Sequence, residues 1–208
     1  MPPIAWPVDA NLTVRRYGSR VRVAEAEALL LWSIWTVESL YYLDDIDAAY
    51  DRSRESIGEH RPDVVDVAHG RWATVSCVTA LDLVAAALAR VYSSHSGPRE
   101  VRLSDLNPQA ANRGRAKKAH ALRAPMPLLA QKWLDDALGD TDYVSVCAAR
   151  HSLAHARSPR HFRFEDEGPA RLGLSVGHDT LSLRTLVTMA RDTATRHLVH
   201  LLNVLPQL

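Results

Sequence analysis

The sequence predicts an all-α protein, an antiparallel bundle of about five helices with a small β-hairpin before the last helix. Apolar residues recur at helical spacing in two long segments, residues 21–54 and 63–93, and the first contains no Gly or Pro. Alternating apolar and polar residues around one turn cluster interrupt this pattern near residues 160–176. Because 208 residues with 47% hydrophobic content can bury one core, we expect a single domain over residues 1–208.

The first helix is predicted to follow an irregular arm. Residues 1–20 mix Pro, Asn, Gly and Ser, which indicates irregular backbone with a brief extended segment at 12–15. In the helix that follows, Glu38 is the only charge between residues 28 and 43, so we expect other parts of the protein to surround most of this helix. The tryptophans of the chain fall mostly on apolar helical rows and are expected in the core. They are Trp6, Trp32, Trp35, Trp72 and Trp133.

The second helix is predicted to be central, because its stretch 74–89 is apolar apart from Asp82. That carboxylate needs a partner, since burying an unpaired charge is costly. A long connection, residues 94–126, follows, with one polar helix expected between residues 108 and 122. It carries the basic run 113–118 and His120, which we interpret as a solvated helix face, with a ligand site as the alternative.

Four further elements are predicted in the last third of the chain. Pro127 and Gly139 have the residue types that begin and end helices, and Pro159 prevents the next helix from continuing much beyond residue 157. The predicted elements are a third helix at 127–138, a fourth capped by Asp140, Thr141 or Asp142, a hairpin of 161–164 with 171–176, and a last helix capped by Asp179 or Thr180.

Composition excludes a strong general attraction to polyanions. Twenty-five Lys and Arg against 24 Asp and Glu leave a formal charge of +1, so an anionic partner would have to bind a local patch. Cys77 and Cys147, each in an apolar stretch, suit buried thiols in a reducing compartment. With no signal-peptide pattern and no apolar run approaching ~20 residues, we expect a cytoplasmic protein without a membrane segment.

The most informative residues lie near the end of the fourth helix, in the segment Arg150-His151-Ser152-Leu153-Ala154-His155. Helical spacing separates two rows that become polar at their ends. One row is Val144, Ala148, His151 and His155, and the other is Tyr143, Val146, Cys147, Arg150 and Ala154. Arg150 and His155 differ by roughly 140° on an ideal helix, so the long Arg side chain must curl round to share a site with the imidazole.

This segment resembles the Arg-x4-6-His motif of HEPN domains, which often have a polar residue directly after the Arg. The resemblance covers about residues 127–205 well, because a motif at a helix end, a short connection and one long final helix are typical of that all-α fold. It implies a metal-independent ribonuclease, or an RNA- or nucleotide-binding relative, that works as a homodimer with the two motifs facing each other. It also implies a toxin or defence effector, with an antitoxin protein as a further partner.

The chemistry that the resemblance implies needs no cofactor and no metal. His155 would act as general acid and base in attack of the RNA 2′-hydroxyl, because an imidazole with a pKa of ~6.5 exchanges protons near neutrality. Arg150 would bind the phosphate through bidentate hydrogen bonds. His151 would orient the pair or the backbone. Supplementary cations would come from Arg157, Arg160 and Arg163, or from the run 113–118.

Three other interpretations stay open. Arg150 and His155 could bind the last carbonyls of their helix, where cations are favoured. His151 and His155 have the i, i+4 spacing of metal ligands and could join His69 or His120 in a three-histidine site, as in DinB-like helical-bundle enzymes. The chain could also be a non-catalytic dimerisation module.

P-loop, dinucleotide-binding and nucleophile-elbow motifs are absent from the sequence.

Overall fold

A computed structural model of the chain describes residues 9–57, 62–93, 101–154, 160–162, 171–176 and 179–208, and it describes side chains outside 43–66, 160–162 and 171–172. The first eight residues of the predicted arm, with Trp6, lie outside this description. Its helices are α1 (Ala10–Val21), α2 (Ala24–Ile57), α3 (Pro62–Tyr92), α4 (Arg113–Arg123), α5 (Leu128–Gly139), α6 (Thr141–Ala154) and α7 (Leu183–Val204), with 3-10 turns at Leu103–Leu106 and Leu205–Gln207.

The mostly helical fold is confirmed, but the count of about five helices is wrong, since the described part of the chain contains seven. The predictions at 63–93 and 127–138 agree with α3 and α5 within one residue at each end. The polar helix expected between residues 108 and 122 is α4. The fourth predicted helix corresponds to α6, although its predicted end, residues 155–157, lies outside the described residues.

The irregular backbone predicted before residue 20, with an extended segment at 12–15, is wrong from residue 10 onward. The Asp9 side chain accepts a hydrogen bond from the Leu12 amide at 3.0 Å and so caps the N-terminus of α1. Val14 and Tyr17 are buried against the core. The helix ends at Arg22, whose φ of 55° is left-handed, and this break separates α1 from α2.

Gly18 in α1 allows close approach to α2 rather than breaking the helix. A Cβ atom at residue 18 would lie 2.7 Å from Cβ of Glu27, a distance that requires the two helices to move apart. A residue without a Cβ atom is therefore needed at this position, because α1 passes so close to Glu27 of α2.

The core is built around α3, as the apolar stretch 74–89 predicted. This helix packs against α2, α6, α7 and the turn at 103–106, and Cys77, Leu81 and Leu88 are fully buried. The expectation that α2 is surrounded is wrong for one of its faces. Trp32 and Trp35 there are 61% and 51% exposed.

The expectation that tryptophans pack in the core holds for only one of the four that the structure describes. Trp72 on α3 is 52% exposed, like the two on α2, whereas Trp133 on α5 is fully buried and donates a hydrogen bond to the His197 carbonyl at 2.8 Å. The rows that carry the exposed rings are helical, but periodicity alone could not tell which rows meet another helix.

The hairpin before the last helix is confirmed, and a third strand extends it. Strands β1 (Arg160–Phe162), β2 (Arg171–Val176) and β3 (Asp179–Ser182) form an antiparallel sheet in that order, with Gly173 opposite both Arg160 and Ser182. Asp179 and Thr180 therefore belong to a strand, and their predicted capping role is wrong. Ser182 caps α7 by accepting a hydrogen bond from the Thr185 amide at 3.0 Å.

A polar cluster joins the start of α6 to α7. As predicted, Asp140 caps α6, because its Oδ1 accepts a hydrogen bond from the Asp142 amide at 2.9 Å. Its Oδ2 lies 2.6 Å from both Nη2 of Arg196 and Nε2 of His197. His197, to which the sequence pattern assigned no role, is therefore a buried link between the two helices.

The pKa values of Asp140 and His197 in this cluster are both lowered. Burial lowers the pKa of His197, and the nearby Arg196 charge adds to this effect, which together outweigh the contact with Asp140. Burial acts to raise the pKa of Asp140, but hydrogen bonds from Arg196, His197 and the Asp142 amide bring it below its ordinary value. The folded cluster thus favours an ionised Asp140 beside a neutral imidazole.

We expect Gly18→Ala to destabilise the protein, because the added Cβ must displace Glu27 where α1 meets α2. Overpacking costs ~1–3 kcal/mol, and the gain in helix propensity offsets about 1 kcal/mol of it. The matched control is Gly139→Ala, where an added Cβ meets nothing within 4 Å among the described atoms. Urea unfolding of both variants measures the difference, and equal stabilities would contradict the close contact.

We expect the free energy of unfolding to fall as the pH is lowered from 7 to 5. The folded pKa of His197 lies below the unfolded value of ~6.5, so the unfolded chain binds more protons in this range and is favoured by acid. His197→Gln, which cannot gain this charge, should show a flatter pH dependence than wild type. His200→Gln, on the same helix, is the control, and equal slopes for His197→Gln and wild type would refute the assignment.

Candidate functional site

The two rows predicted on the fourth helix lie on different faces of α6. Tyr143 and Val146 are buried, and Cys147 and Arg150 of the same row are half-buried. In the other row Val144 is 55% exposed, and Ala148 and His151 are also exposed. The sequence pattern therefore separated a face that packs against α3 from a face that meets solvent, and it placed Arg150 on the first and His151 on the second.

The last turns of α6 are held by a small apolar cluster of their own. Ala149 and Leu153 on the buried face of the helix pack against the sheet and the first turn of α7. The partners are Leu174, Val176, Leu183 and Leu186. This packing fixes the helix end from which Arg150 and His151 project.

The role of binding a carbonyl at the end of α6 belongs to Arg71, not to Arg150. Nη2 of Arg71, on α3, donates a hydrogen bond to the Leu153 carbonyl at 2.9 Å. The favourable interaction of a cation with a helix C-terminus is thus supplied by a neighbouring helix. The capping interpretation of Arg150 loses its main support, because this guanidinium has no hydrogen-bond acceptor among the described residues.

Arg150 lies close enough to Asp82 for their charges to interact. Asp82 is the carboxylate of α3 that the sequence predicted to need a partner. Oδ1 of Asp82 accepts a hydrogen bond from the Leu103 amide at 2.8 Å. Burial raises the pKa of Asp82, and the Leu103 amide, the Arg150 guanidinium and the Arg102 guanidinium each offset part of that rise. Two arginines from different segments therefore converge on one half-buried acid, although only a backbone amide donates a hydrogen bond to it.

Arg150 differs from several other arginines, both buried and exposed, in having no hydrogen-bonded partner within the described ranges. The others bind carbonyl or carboxylate oxygens and join elements of the fold. Arg20 donates to the Leu205 and Pro206 carbonyls, Arg123 donates to the Leu106 and Gln131 carbonyls and to Asp135, and Arg196 donates to Asp140 and Asp142. A guanidinium with unused donors near solvent can accept an anionic ligand in bidentate geometry.

Tyr143 and Cys147, the ionisable side chains in the same row of α6 as Arg150, are uncharged near neutral pH. Burial raises the pKa of Cys147, which lies one turn before Arg150, and burial also raises the pKa of Tyr143. Cys77, across from them on α3, is fully buried and its pKa is likewise raised by burial. Both cysteines are free, as the sequence predicted. Arg150 is therefore the one charge that the described part of α6 contributes beside Asp82.

His155, the second residue of the predicted motif, lies outside the described residues, and so do Arg157 and Arg163. Arg160 begins β1, and its side chain is likewise outside the description. The predicted approach of Arg150 and His155 therefore stays a prediction. The sequence pattern did not identify Arg71 and Arg102. Arg71 contacts Leu153, 82 residues away, and Arg102 interacts with Asp82, 20 residues away, and no local pattern predicts such contacts.

The histidines of the alternative metal site are spread over the fold. His69 is half-buried on α3, and His120 is exposed on α4. Within the described ranges, no group of three or more His, Cys, Asp or Glu side chains is arranged to hold a metal ion. Since His155 is not among these residues, the three-histidine proposal is tested by metal analysis below.

Comparison with models of protein families, with curated proteins and with solved structures finds no match to this chain. Among the described residues one helical segment, Val67–Tyr92, is long and apolar enough to span a membrane, with a mean hydropathy of 1.7 in its most apolar window. Within the fold 72% of that window is buried, and the central helix of a water-soluble bundle passes the same test.

We expect Asp82→Asn to leave the protein at least as stable as wild type at pH 7. The folded pKa of Asp82 is raised, so its contribution to stability is complete below the unfolded value and is lost as the pH rises through the folded value. The amide Oδ1 of Asn can still accept the Leu103 hydrogen bond. Because the variant also removes the anion beside Arg150, inorganic phosphate should bind several-fold more tightly.

Chemical unfolding at pH 7 and pH 4, with phosphate titration by calorimetry, measures both effects of this substitution. Asp179→Asn, at an exposed position of β3, is the matched control. A large loss of stability in Asp82→Asn would indicate that Arg150 is a structural partner of Asp82 and is not available to a ligand.

Proposed function

We propose that this chain is a HEPN-like protein that binds RNA and cleaves it without a metal ion. Arg150 binds the scissile phosphate and His155 acts as general acid and base. The observation that supports this proposal is the half-buried Arg150 guanidinium at the end of α6, whose hydrogen-bond donors meet no acceptor in the described part of the chain. A phosphate oxygen pair provides the acceptors that such a guanidinium lacks.

The proposed reaction is transfer of the phosphate to the neighbouring 2′-hydroxyl. The imidazole of His155 removes the 2′-hydroxyl proton while the 2′ oxygen forms a bond to phosphorus. The bond from phosphorus to the 5′ oxygen breaks, and that oxygen takes up a proton as it leaves. The products are a 2′,3′-cyclic phosphate and a 5′-hydroxyl end. Arg150 stabilises the negative charge that develops on the phosphate oxygens.

His151 is proposed to orient the substrate rather than to exchange protons. It is exposed on α6, on the face that carries Val144 and Ala148, and it follows Arg150 directly in the chain. Its side chain therefore projects from a different face of the helix than the guanidinium does. An exposed imidazole at this place can contact RNA on the solvent side of the scissile phosphate.

The proposed protein is a homodimer. Exposed large apolar side chains lie on five of the described helices, with Leu12 on α1 and Leu128 and Leu129 on α5. The remaining ones are Trp32, Trp35 and Tyr42 on α2, Trp72 and Val75 on α3, and Val144 on α6. Because α3 contacts both α2 and α6, these rows lie on neighbouring elements. Exposed aromatic and aliphatic groups on adjacent helices are typical of association surfaces. The same resemblance suggests a cytoplasmic toxin or defence effector with an antitoxin partner.

We expect the purified wild-type protein to cleave single-stranded RNA in excess chelator and to leave 2′,3′-cyclic phosphate ends. Arg150→Ala and His155→Ala should each lower the rate by ~10²–10⁴-fold, because each removes a group that acts on the transition state. Arg90→Ala and His200→Ala remove exposed or half-exposed groups of the same types elsewhere and should keep wild-type activity. Gel analysis of a labelled oligonucleotide measures the rates and the product ends.

Two results would contradict the proposal. Unchanged cleavage in both Arg150→Ala and His155→Ala would remove the assigned site. Stoichiometric zinc or nickel in the purified protein, lost in His155→Ala, would favour the three-histidine enzyme instead. A dimer that binds no RNA and cleaves none would indicate the non-catalytic interaction module.

A further inference from the structure

The surface of α4 is strongly basic and faces solvent. Its exposed side chains include four permanent cations and one imidazole, namely Arg113, Arg115, Lys117, Lys118 and His120. Only Ala119, Leu122 and Arg123 of this helix are buried. On an 11-residue helix that spacing places Arg113, Lys117 and His120 in one row, at i, i+4 and i+7.

Within the described part of the chain these cations have no acidic neighbours to neutralise them. From residue 107 to residue 134 the sequence contains no Asp or Glu, although the whole chain has nearly equal numbers of acids and bases. No carboxylate of the described residues lies within ion-pair distance of Arg113, Arg115, Lys117 or Lys118. The positive potential of α4 therefore extends into solvent and is available to an anionic partner.

The basic helix is connected to the Arg150 site through the turn at Leu103–Leu106. Arg123 at the end of α4 donates a hydrogen bond to the Leu106 carbonyl at 3.4 Å, and α4 packs against this turn. At the other end of the turn the Leu103 amide donates to Asp82, beside Arg150. Arg102 precedes the turn, is exposed and also interacts with Asp82. Arg102 therefore adjoins the turn that links α4 to Asp82 and Arg150.

We propose that α4 and Arg102 form a binding surface for the phosphate backbone of single-stranded RNA and guide the strand to Arg150. This inference rests on the proposed function, because it assigns the same RNA a second contact. The exposed face of α4 carries no aromatic or large aliphatic side chain. Interfaces with proteins usually depend on such groups, whereas backbone recognition needs only cations, so the face favours a nucleic acid over an acidic protein.

The composition of this surface predicts how it binds. Without aromatic groups for base stacking, α4 should show little sequence preference and a strong dependence on salt. Base discrimination would have to come from other parts of the protein.

The test compares two variants that remove the same charge from different places. The first changes Arg113, Arg115, Lys117 and Lys118 to Gln, and the control changes Arg15, Arg16, Arg90 and Lys132, all exposed, to Gln. The probes are a labelled RNA oligonucleotide with 2′-O-methyl groups, which cannot be cleaved, and poly-L-glutamate as an acidic polypeptide. Circular dichroism checks folding, which Gln should preserve because its helix propensity is similar to that of Lys and Arg.

We expect the α4 variant to bind RNA ~10- to 100-fold more weakly, with a salt dependence shallower by about 2–3 in logarithmic slope, since each phosphate contact contributes roughly 0.7. The control variant should bind nearly as wild type does. Equal losses in both variants, or no RNA binding by the wild-type chain, would overturn the proposal. So would an unchanged RNA affinity with lost binding of poly-L-glutamate, which would indicate an acidic protein partner.

Cleavage separates this inference from the proposed function. If RNA binding depends on α4 but no cleavage occurs, the nuclease proposal is wrong and the surface assignment stands. If cleavage depends on Arg150 but the KM is unchanged in the α4 variant, the surface assignment is wrong and the nuclease proposal stands. The Arg102→Gln variant tests the link between the two, and we expect it to weaken RNA binding by several-fold.

Discussion

The fold depends on the burial of α3 and of Asp82, the one charged residue in its stretch 74–89. A helix that is apolar nearly all round must be covered, and α2, α6, α7 and the turn at 103–106 cover it. The carboxylate on this helix needs donors, and it obtains the Leu103 amide. Arg102 and Arg150 offset part of the remaining cost of that charge while the pKa of Asp82 stays raised, so the position of Asp82 and that of the candidate site are linked.

The arginines of this protein fall into two groups by their partners. Arg71, Arg123 and Arg196 bind oxygens of neighbouring elements at 2.6–3.4 Å, so each is used within the fold. Arg150 is half-buried, whereas Arg123 is buried and Arg71 and Arg196 are exposed, and it has only a through-space interaction with Asp82 among the described residues. Hydrogen bonds offset the cost of partly burying a guanidinium. A half-buried guanidinium without them is better explained by ligand binding than by a contribution to the stability of the fold.

The sequence predicted the elements whose signals are local and missed those that depend on contacts. Apolar spacing located α3 and α5, and the Asp140 cap followed from residue type and position. Helix α1 was missed because the mixture of Pro, Asn, Gly and Ser over residues 1–20 indicated irregular backbone, whereas Gly18 permits contact with Glu27. At the candidate site the two faces of α6 were predictable from periodicity. The pairing of Arg150 with Asp82, 68 residues away, was not, because it depends on how two helices pack.

The exposed surfaces of the protein differ in chemistry, and this difference separates the proposed assembly surface from the proposed RNA-binding surface. The uncovered rows of α2, α3 and α6 are aromatic or aliphatic, so water is released when they meet a similar surface. The uncovered face of α4 is cationic and attracts a charged polymer at a distance. Since salt strengthens the first interaction relative to the second, a homodimer should persist at ionic strengths where RNA dissociates. Arg150 resembles the second surface in charge, and the turn at 103–106 links the two through its contacts with α4 and with Asp82.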